Sequence, residues 1–321
     1  MTAVLVTGAL GQIGTELTRA LRGRHGAGHV LATGYREAPP ESSPLSDGLY
    51  ERLDVTDHRA VNATFVEHDV DVVYHLAARL SVLSEADPQE AWAVNMGGLH
   101  NVLEAARTHG VGQVFWPSSI AAFGPETPSE RTPQDTLMRP TTIYGVAKVA
   151  GELLCDYYCR HYGLDVRGVR YPGVISGATR PTGGTTDYAV EIFYAAIESG
   201  CYTCFVRADT VLPMIYMPDC IKAALDLMAA DRPQLRHHNS FNVSAMSFSA
   251  GALAEEIAKH VPGFVCDFAP DHRQAIADSW PHSLDDSAAR AEWGWKPRFG
   301  LPEMTTDMLA TLRARQQAGR L

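Results

Sequence analysis

Tyr144 and Lys148 stand four residues apart in a segment whose pattern predicts a helix, so their side chains project from one face, one turn apart. A lysine ammonium near a phenol stabilises the phenolate and lowers a pKa that is otherwise about 10. By itself, Tyr-x-x-x-Lys is common on solvated helix faces. Ser119, twenty-five residues earlier at the end of a predicted strand, favours chemistry because its hydroxyl would bind the reacting oxygen. Together the three residues predict removal of a hydroxyl proton, with Tyr144 as the general base.

A glycine motif near the start of the chain predicts a nucleotide site. Gly8, Gly11 and Gly14 lie between the first predicted strand and the first predicted helix, where backbone amides and the helix dipole favour a pyrophosphate. A tight turn without a ligand is the alternative, and the position directly after the first strand disfavours it. Gln12 and Ile13 lie within the motif and are predicted to contact the same dinucleotide.

The end of the second predicted strand reads Gly34, Tyr35, Arg36, where dinucleotide-binding folds usually place an acidic residue on the adenosine ribose. With no carboxylate to repel a 2′-phosphate and Arg36 available to pair with one, the sequence predicts that NADP is accepted. Arg36 as a solvated residue, or stacked on adenine, is an equal alternative. Asp54 and Val55 are predicted to lie near the adenine, although Asp54 also fits a turn before a helix.

The residues above must be positioned by alternating strands and helices. Strands are predicted at 4–7, 30–33, 52–55, 70–76, 114–117 and 166–171, and helices at 12–21, 58–67, 89–108 and 143–162. This alternation predicts an α/β fold with a doubly wound parallel Rossmann sheet and a smaller, interleaved C-terminal substrate lobe. The cofactor domain is assigned to 1–175 with a return segment near 209–245, and the substrate lobe to 176–208 and 246–321.

Composition excludes several classes of function. The net charge of -10 and the pI near 5.7 offer no basic face for nucleic acid. There is no signal-peptide pattern, and no apolar run approaches the ~20 residues that cross a bilayer, so a cytoplasmic protein without membrane contact is expected. The six cysteines are expected to be thiols. Cys201 and Cys204 form a lone C-x-x-C without further ligands at zinc spacing, so no metal is predicted.

Several motifs carry a resemblance to known families. The segments GALGQIG, HLAA, PSSIAAFG, YGVAK and RYPG together resemble the extended short-chain dehydrogenase/reductase superfamily. More narrowly, GGTTDYAVEIFY, RLS, DSWP and WGW resemble the short-chain L-threonine 3-dehydrogenases. The narrower resemblance is specific, because most of these motifs lie in the predicted substrate lobe.

That resemblance implies oxidation of L-threonine at its side-chain hydroxyl carbon to 2-amino-3-oxobutyrate, with hydride passing to NAD. It implies that Ser81, Ser119 and Tyr144 surround the hydroxyl, and that four residues enclose the amino acid: Gly184, Thr185, Thr186 and Trp280. Tyr144 and Lys148 would also contact the cofactor, together with Leu76, Ala77, Ala78, Asn95 and Tyr171. For Asp187, a helix cap is favoured over a partner for the substrate ammonium.

Two other functions compete with this interpretation. Nucleotide-sugar epimerases or dehydratases share the fold, but they commonly continue the sixth strand as Arg-Tyr-Phe-Asn, whereas this chain has Arg170, Tyr171, Pro172 and Gly173. A regulator that only senses the nicotinamide would need no Ser-Tyr-Lys set. The helices predicted at 89–108 and 143–162 carry surplus apolar surface, so a homodimer is expected.

Overall fold

The computed structural model describes residues 2–37, 45–181 and 183–319. Its strands are β1 (Val4–Thr7), β2 (Val30–Gly34), β3 (Tyr50–Arg52), β4 (Val72–His75), β5 (Gln113–Phe115), β6 (Ser118–Ser119), β7 (Asp165–Arg167), β8 (Val169–Tyr171), β9 (Gly173–Ile175), β10 (Cys201–Cys204), β11 (Val211–Tyr216), β12 (Phe241–Asn242), β13 (Met246–Ser249) and β14 (Val265–Phe268).

The α-helices are α1 (Gln12–His25), α2 (His58–Glu67), α3 (Ser81–Ala86), α4 (Pro88–Trp92), α5 (Gly98–Thr108), α6 (Ile143–Tyr162), α7 (Tyr188–Glu198), α8 (Met217–Ala229), α9 (Ala250–Ala258), α10 (Arg273–Ala277), α11 (Ser287–Trp293) and α12 (Leu301–Gln317). A π-helical turn, Ala93–Gly97, joins α4 to α5.

The main sheet is parallel throughout and has the strand order β3-β2-β1-β4-β5-β7. Its central strand β1 is buried along its whole length, as expected for a sheet covered by helices on both faces. One apolar cluster joins α1 and α8 on the sheet, and another joins α2, α5 and α6. The predicted doubly wound α/β fold is confirmed.

Two predicted strands differ most from the structure. The strand predicted at 52–55 is wrong, because β3 ends at Arg52 and Asp54 Oδ1 accepts hydrogen bonds from the amide and hydroxyl of Thr56 in a turn. The strand predicted at 166–171 is broken at Gly168, where a Cβ would lie 2.2 Å from the carbonyl oxygen of Trp116. Beyond this break, β8 pairs with β6 and β12 instead of the main sheet.

The helix predicted at 89–108 is interrupted by the π-helical turn. Within that turn, the Asn95 side chain accepts from the Arg79 amide at 2.8 Å and donates to the Arg79 carbonyl at 3.1 Å. The widened turn thus places a carboxamide against the chain that leaves β4. The contact between Asn95 and Arg79 fixes the position of the chain just before α3, which begins at Ser81.

A second group of elements lies beyond the carboxyl ends of the main strands. Strand β11 pairs with β9 in parallel and β13 antiparallel, β10 pairs with β14, and α7, α9 and α12 pack in one apolar cluster. Tyr144 belongs to that cluster although it lies on α6. Strand β11 and helix α8 lie in the return segment predicted near 209–245, while the division of the chain into lobes stays a prediction. None of the described helices is long and apolar enough to span a membrane.

Candidate active site

Helix α6 lies unusually close to the segment that follows β6. A Cβ on Gly145 would lie 2.2 Å from the carbonyl oxygen of Ala121, so only glycine permits this approach. The helix begins where Thr142 Oγ1 accepts the Gly145 amide at 3.1 Å. Local sequence therefore fixes both the start of α6 and its distance from Ser119.

This packing brings together the three residues predicted to do chemistry. The Ser119 side chain lies close enough to the Tyr144 phenol to act on its pKa as a hydrogen-bond partner. Lys148 donates from Nζ to the carbonyl oxygen of Pro117 at 2.6 Å, and Nζ lies 5.4 Å from the centre of the Tyr144 ring. A buried phenol, a hydroxyl and an ammonium thus share one small volume.

Burial dominates the ionisation of these groups. It raises the pKa of Tyr144 to about 12, against a smaller lowering by the Ser119 hydrogen bond. Burial also lowers the pKa of Lys148 to about 8, opposed by the charge of Glu152. The expected lowering of the phenol pKa by Lys148 is therefore not seen in the protein alone. A further positive charge at the site would be needed to make Tyr144 acidic.

Two of the predicted substrate residues are in contact with each other. Ser81, the first residue of α3, lies with its Oγ 3.1 Å from Oγ1 of Thr185, and both side chains are buried. The methyl group of Thr186 packs against Gly173, where a Cβ would lie 2.8 Å from it. Trp280 is buried in the apolar cluster that contains Tyr144. The four residues come from three widely separated parts of the chain.

Asp187 has a different role from the one favoured by the sequence. It occupies the N-cap position of α7, but its carboxylate makes no cap bond to that helix, so the predicted cap is wrong in its contacts. Instead Oδ2 accepts the amides of Gly183 at 2.9 Å and Gly184 at 2.7 Å. The physical reason is that the loop folds back over the helix start. Consequently these two amides are already occupied and are not free to receive a substrate carboxylate.

The glycine motif forms a cradle of bare backbone. Gly8 has φ +67°, and a Cβ there would lie 2.6 Å from the amide nitrogen of Ala77, while a Cβ on Gly14 would lie 2.2 Å from the Gly8 carbonyl. Gly11 is open, since its nearest neighbour to a Cβ is at 3.4 Å. Within the described residues, Nε2 of Gln12 is buried without a hydrogen-bond partner. A buried N–H donor without a partner, next to the start of a helix, is suited to bind a phosphate group of a dinucleotide.

Other predicted cofactor residues already have protein partners. Asn95 and Asp54 make the turn contacts described above, and the Tyr171 hydroxyl donates to the Cys220 carbonyl at 2.7 Å. Val55 packs under Gly98, where a Cβ would lie 2.7 Å from it. Ile13 lies in the first turn of α1, and the chain of Leu76, Ala77 and Ala78 leaves β4 beside Gly8. Their cofactor contacts stay predictions.

The rim where the acidic residue is missing has its own packing. Arg36 is exposed, and its carbonyl accepts the Tyr50 hydroxyl at 2.8 Å. A Cβ on Gly34 would lie 2.9 Å from that same hydroxyl oxygen. The nearby carboxylate of Glu37 is paired with Arg52 at 2.8 Å. Tyr50 therefore occupies the space that a side chain at position 34 would enter.

Comparison with known proteins agrees with this geometry. The model of the NAD dependent epimerase/dehydratase family matches residues 4–244. The chain belongs to that family. An uncharacterised epimerase/dehydratase of Staphylococcus haemolyticus is 50% identical over 318 residues, which cover 99% of each chain.

Solved members of similar sequence are named as L-threonine dehydrogenases. The chain resembles the GalE-like L-threonine dehydrogenase from Cupriavidus necator in its holo form, with 50% identity and TM-score 0.93 over 97% of this chain and 99% of that one. It also resembles a monomeric L-threonine 3-dehydrogenase from a metagenome, with 47% identity and TM-score 0.93 over 97% and 99%.

In this member of the epimerase/dehydratase family, His75 is a buried residue to which the sequence assigned no role. Its Nδ1 lies 2.7 Å from Thr7 Oγ1, and within the described part of the chain its Nε2 is buried without a partner. Burial lowers the pKa of His75 to about 3, so the ring is neutral. The HLAA motif could have indicated this position, because a histidine at the carboxyl end of a central strand lies at the same edge of the sheet as the glycine motif.

No cysteine takes part in a metal-like cluster among the described residues. All six are free thiols there, and Cys201 and Cys204 belong to β10. The one cluster with metal-like spacing in the described ranges is Glu51, Glu67 and His68. Two of its three members are exposed, and it lies away from Tyr144 in sequence and on a different edge of the sheet.

Proposed function

We propose that this chain is an L-threonine 3-dehydrogenase that oxidises the side-chain hydroxyl carbon of L-threonine to 2-amino-3-oxobutyrate. The observation that carries the proposal is the contact between the hydroxyl groups of Ser81 and Thr185, taken together with the close packing of Ser119, Tyr144 and Lys148. On this proposal, the two hydroxyl groups would bind a small polar substrate beside the base. The names of the similar solved proteins support the same substrate.

In the proposed reaction, Tyr144 removes the proton from the substrate hydroxyl, and Ser119 holds that hydroxyl oxygen. Lys148 supplies positive charge beside the phenol and keeps α6 in place through Pro117. Gly8, Gly11 and Gln12 would hold the dinucleotide through their backbone and the free Gln12 amide. When bound, the oxidised nicotinamide accepts hydride and brings the additional positive charge that a buried phenol requires.

The packing around Gly173 supports a small substrate over a nucleotide sugar. The epimerases of this fold place asparagine at the corresponding position, but here Thr186 and Met214 leave no room for a side chain. A Cβ on Gly173 would lie 2.3 Å from the sulfur of Met214 and 2.8 Å from the Thr186 methyl group. The side chains of Thr186 and Met214 thus fill the space from which the asparagine amide of an epimerase would act.

A substrate panel tests this function. With either oxidised cofactor, L-threonine is expected to give a rise in absorbance of the reduced cofactor, while D-threonine, L-allo-threonine and a UDP-sugar are expected to give at least about tenfold less, because one misplaced group costs 1.4 kcal/mol or more. L-Serine serves as the control for the side-chain methyl group. Conversion of the UDP-sugar alone would overturn the substrate and keep the fold. Binding of cofactor without any turnover would favour a redox sensor.

We further propose that NADP is accepted, because Gly34 carries no carboxylate and Arg36 is exposed at the same rim. Gly34→Asp is expected to shift the ratio of Kd values towards NAD, measured by quenching of protein fluorescence with each cofactor. The aspartate must displace the Tyr50 hydroxyl, so Gly34→Asp/Tyr50→Phe is the better-packed variant. A large preference of the unaltered protein for NAD would refute this proposal and leave the proposed substrate unaffected.

A homodimer is the proposed assembly. Val146, Leu153 and Tyr157 are exposed apolar residues of α6 at spacings that keep them on one side of the helix, and Leu153 is 62% exposed. Pairing of α6 with a second copy would cover this stripe. Sedimentation equilibrium should give about twice the chain mass of 34.9 kDa. A monomer, the state named for one similar solved protein, would refute it.

A further inference from the structure

Three residues on successive turns of α6 are each held by one of three consecutive residues around β6. The pairs are Tyr144 with Ser119, Lys148 with the carbonyl of Pro117, and Glu152 with Ser118. The first two pairs belong to the proposed proton path. The third pair lies one turn further along the helix, and nothing in the proposed reaction uses it.

Glu152 is the centre of a buried polar network. Its Oε1 accepts the Ser118 hydroxyl at 2.5 Å and Nε of Arg170 at 2.9 Å, and its Oε2 accepts Nη2 of Arg170 at 2.8 Å. The guanidinium is anchored in turn to the Gln134 carbonyl at 2.8 Å and to Asn242 Oδ1 at 3.1 Å. Glu152 is only 4% exposed and Arg170 only 5%. A bidentate pair at this depth keeps its geometry rigidly.

A second cation lies one helical turn from the same carboxylate. Lys148 lies one turn from Glu152 on α6, in a position where burial disfavours the ammonium. The titratable groups around Lys148 are Tyr144 and Cys155 on α6 and His75 at the end of β4. Burial raises the pKa values of Tyr144 and Cys155 and lowers that of His75, so these groups are neutral near pH 7.

Among the described residues, Glu152 is therefore the anion that acts on the ammonium. We propose that Glu152 is a positioning residue whose buried carboxylate keeps Lys148 protonated and, through Ser118 and Arg170, fixes the register of α6 against the strand that carries Ser119. Its effect on turnover rests on the proposed function, but its effect on Lys148 does not. The carboxylate serves two cations at once, one structural and one beside the reacting phenol.

The proposal can be tested by direct titration, because Lys148, Lys222, Lys259 and Lys296 are the only lysines of the sequence. Protein labelled with 13C at the lysine ε carbon gives an NMR spectrum with few signals. The Lys148 signal is identified as the one that is absent in Lys148→Arg. In Glu152→Gln, the midpoint of that signal is expected to fall by about one pH unit, since a neutral amide no longer favours the charged amine. The alkaline limb of the kcat/KM profile should fall with it.

Ser118→Ala is the matched control, because it removes one hydrogen bond to Glu152 and leaves the charge. The titration midpoint of Lys148 in this variant should remain within about 0.3 pH units of the midpoint in the unaltered protein. A shift of that size corresponds to a free-energy change too small for the loss of a neighbouring charge. An equal fall in both variants would show a merely structural role and overturn the proposal.

Glu152→Gln leaves a buried guanidinium without its carboxylate, and this change can prevent folding. Glu152→Gln/Arg170→Gln removes both charges and keeps polar groups of similar size. Its Lys148 midpoint is still expected to fall, but by less than in Glu152→Gln, because loss of the neighbouring Arg170 cation partly offsets loss of the carboxylate. An unchanged midpoint in either folded variant would overturn the proposal. The titration needs no substrate, so its failure is separate from a failure of threonine oxidation.

Discussion

Replacing Tyr144 with phenylalanine is expected to lower kcat/KM for L-threonine by about 10²- to 10⁴-fold, the usual contribution of a positioned base. The variant loses the phenol oxygen that is proposed to take the substrate proton beside Ser119. The ring remains in its apolar cluster, so the melting temperature should change little. Initial rates are read from the absorbance of the reduced cofactor.

Tyr158 provides a matched control on the same helix. It is a buried tyrosine of α6, fourteen residues further along the helix than Tyr144, and its hydroxyl donates to Glu104. Tyr158→Phe should therefore retain most of the activity. Undiminished oxidation of L-threonine by Tyr144→Phe would mean that another group takes the proton.

Gly14→Ala is expected to abolish cofactor binding and to reduce the free energy of unfolding by about 1–3 kcal/mol, as overpacking commonly does. The reason is steric, since the new Cβ would lie 2.2 Å from the Gly8 carbonyl oxygen and 2.8 Å from the Ala9 Cα. Both neighbours are backbone atoms, and a backbone cannot move aside as a flexible side chain can. Thermal unfolding without cofactor and fluorescence titration with NAD and NADP measure the two effects.

Gly11→Ala separates backbone packing from ligand contact. A Cβ at this position meets only the Gly8 carbonyl oxygen, at an ordinary 3.4 Å, so stability without cofactor should be nearly unchanged. Cofactor affinity should still fall, because the methyl group would enter the cradle proposed for the phosphates. Equal unfolding temperatures for Gly14→Ala and Gly11→Ala would contradict the packing argument.

Sequence predicts best where structure is decided locally. The bounds of α2 and α6 were predicted correctly because Asp57 and Thr142 supply N-caps at their starts. Tyr144, Lys148 and Ser119 were also predicted to lie together, since two of them are one helical turn apart, and they are close in the structure, while their catalytic role stays a prediction. The break at Gly168 was not predicted, because it depends on how closely the chain passes Trp116, more than fifty residues away.

Contacts between distant segments were found only by resemblance or were missed. Ser81 and Thr185 are 104 residues apart, and no periodicity in either segment indicates that their hydroxyls meet. The network of Glu152 and Arg170 depends on the register of α6 against β8. Asp187 was predicted to cap α7 because its position before that helix is typical of an N-cap. In the structure, the loop folds so that the backbone amides of Gly183 and Gly184 bind its carboxylate instead.

The packing of Tyr50 over Gly34 makes the two positions interdependent, and it imposes an order on their substitution. Aspartate introduced first would meet an occupied volume, whereas phenylalanine introduced first removes one hydroxyl and opens the space at little cost. In a lineage descending from this chain, a return to an acidic residue at position 34 would therefore follow a change at position 50. The preference for NAD or NADP would therefore depend on the residues at positions 34 and 50 together, and not on position 34 alone.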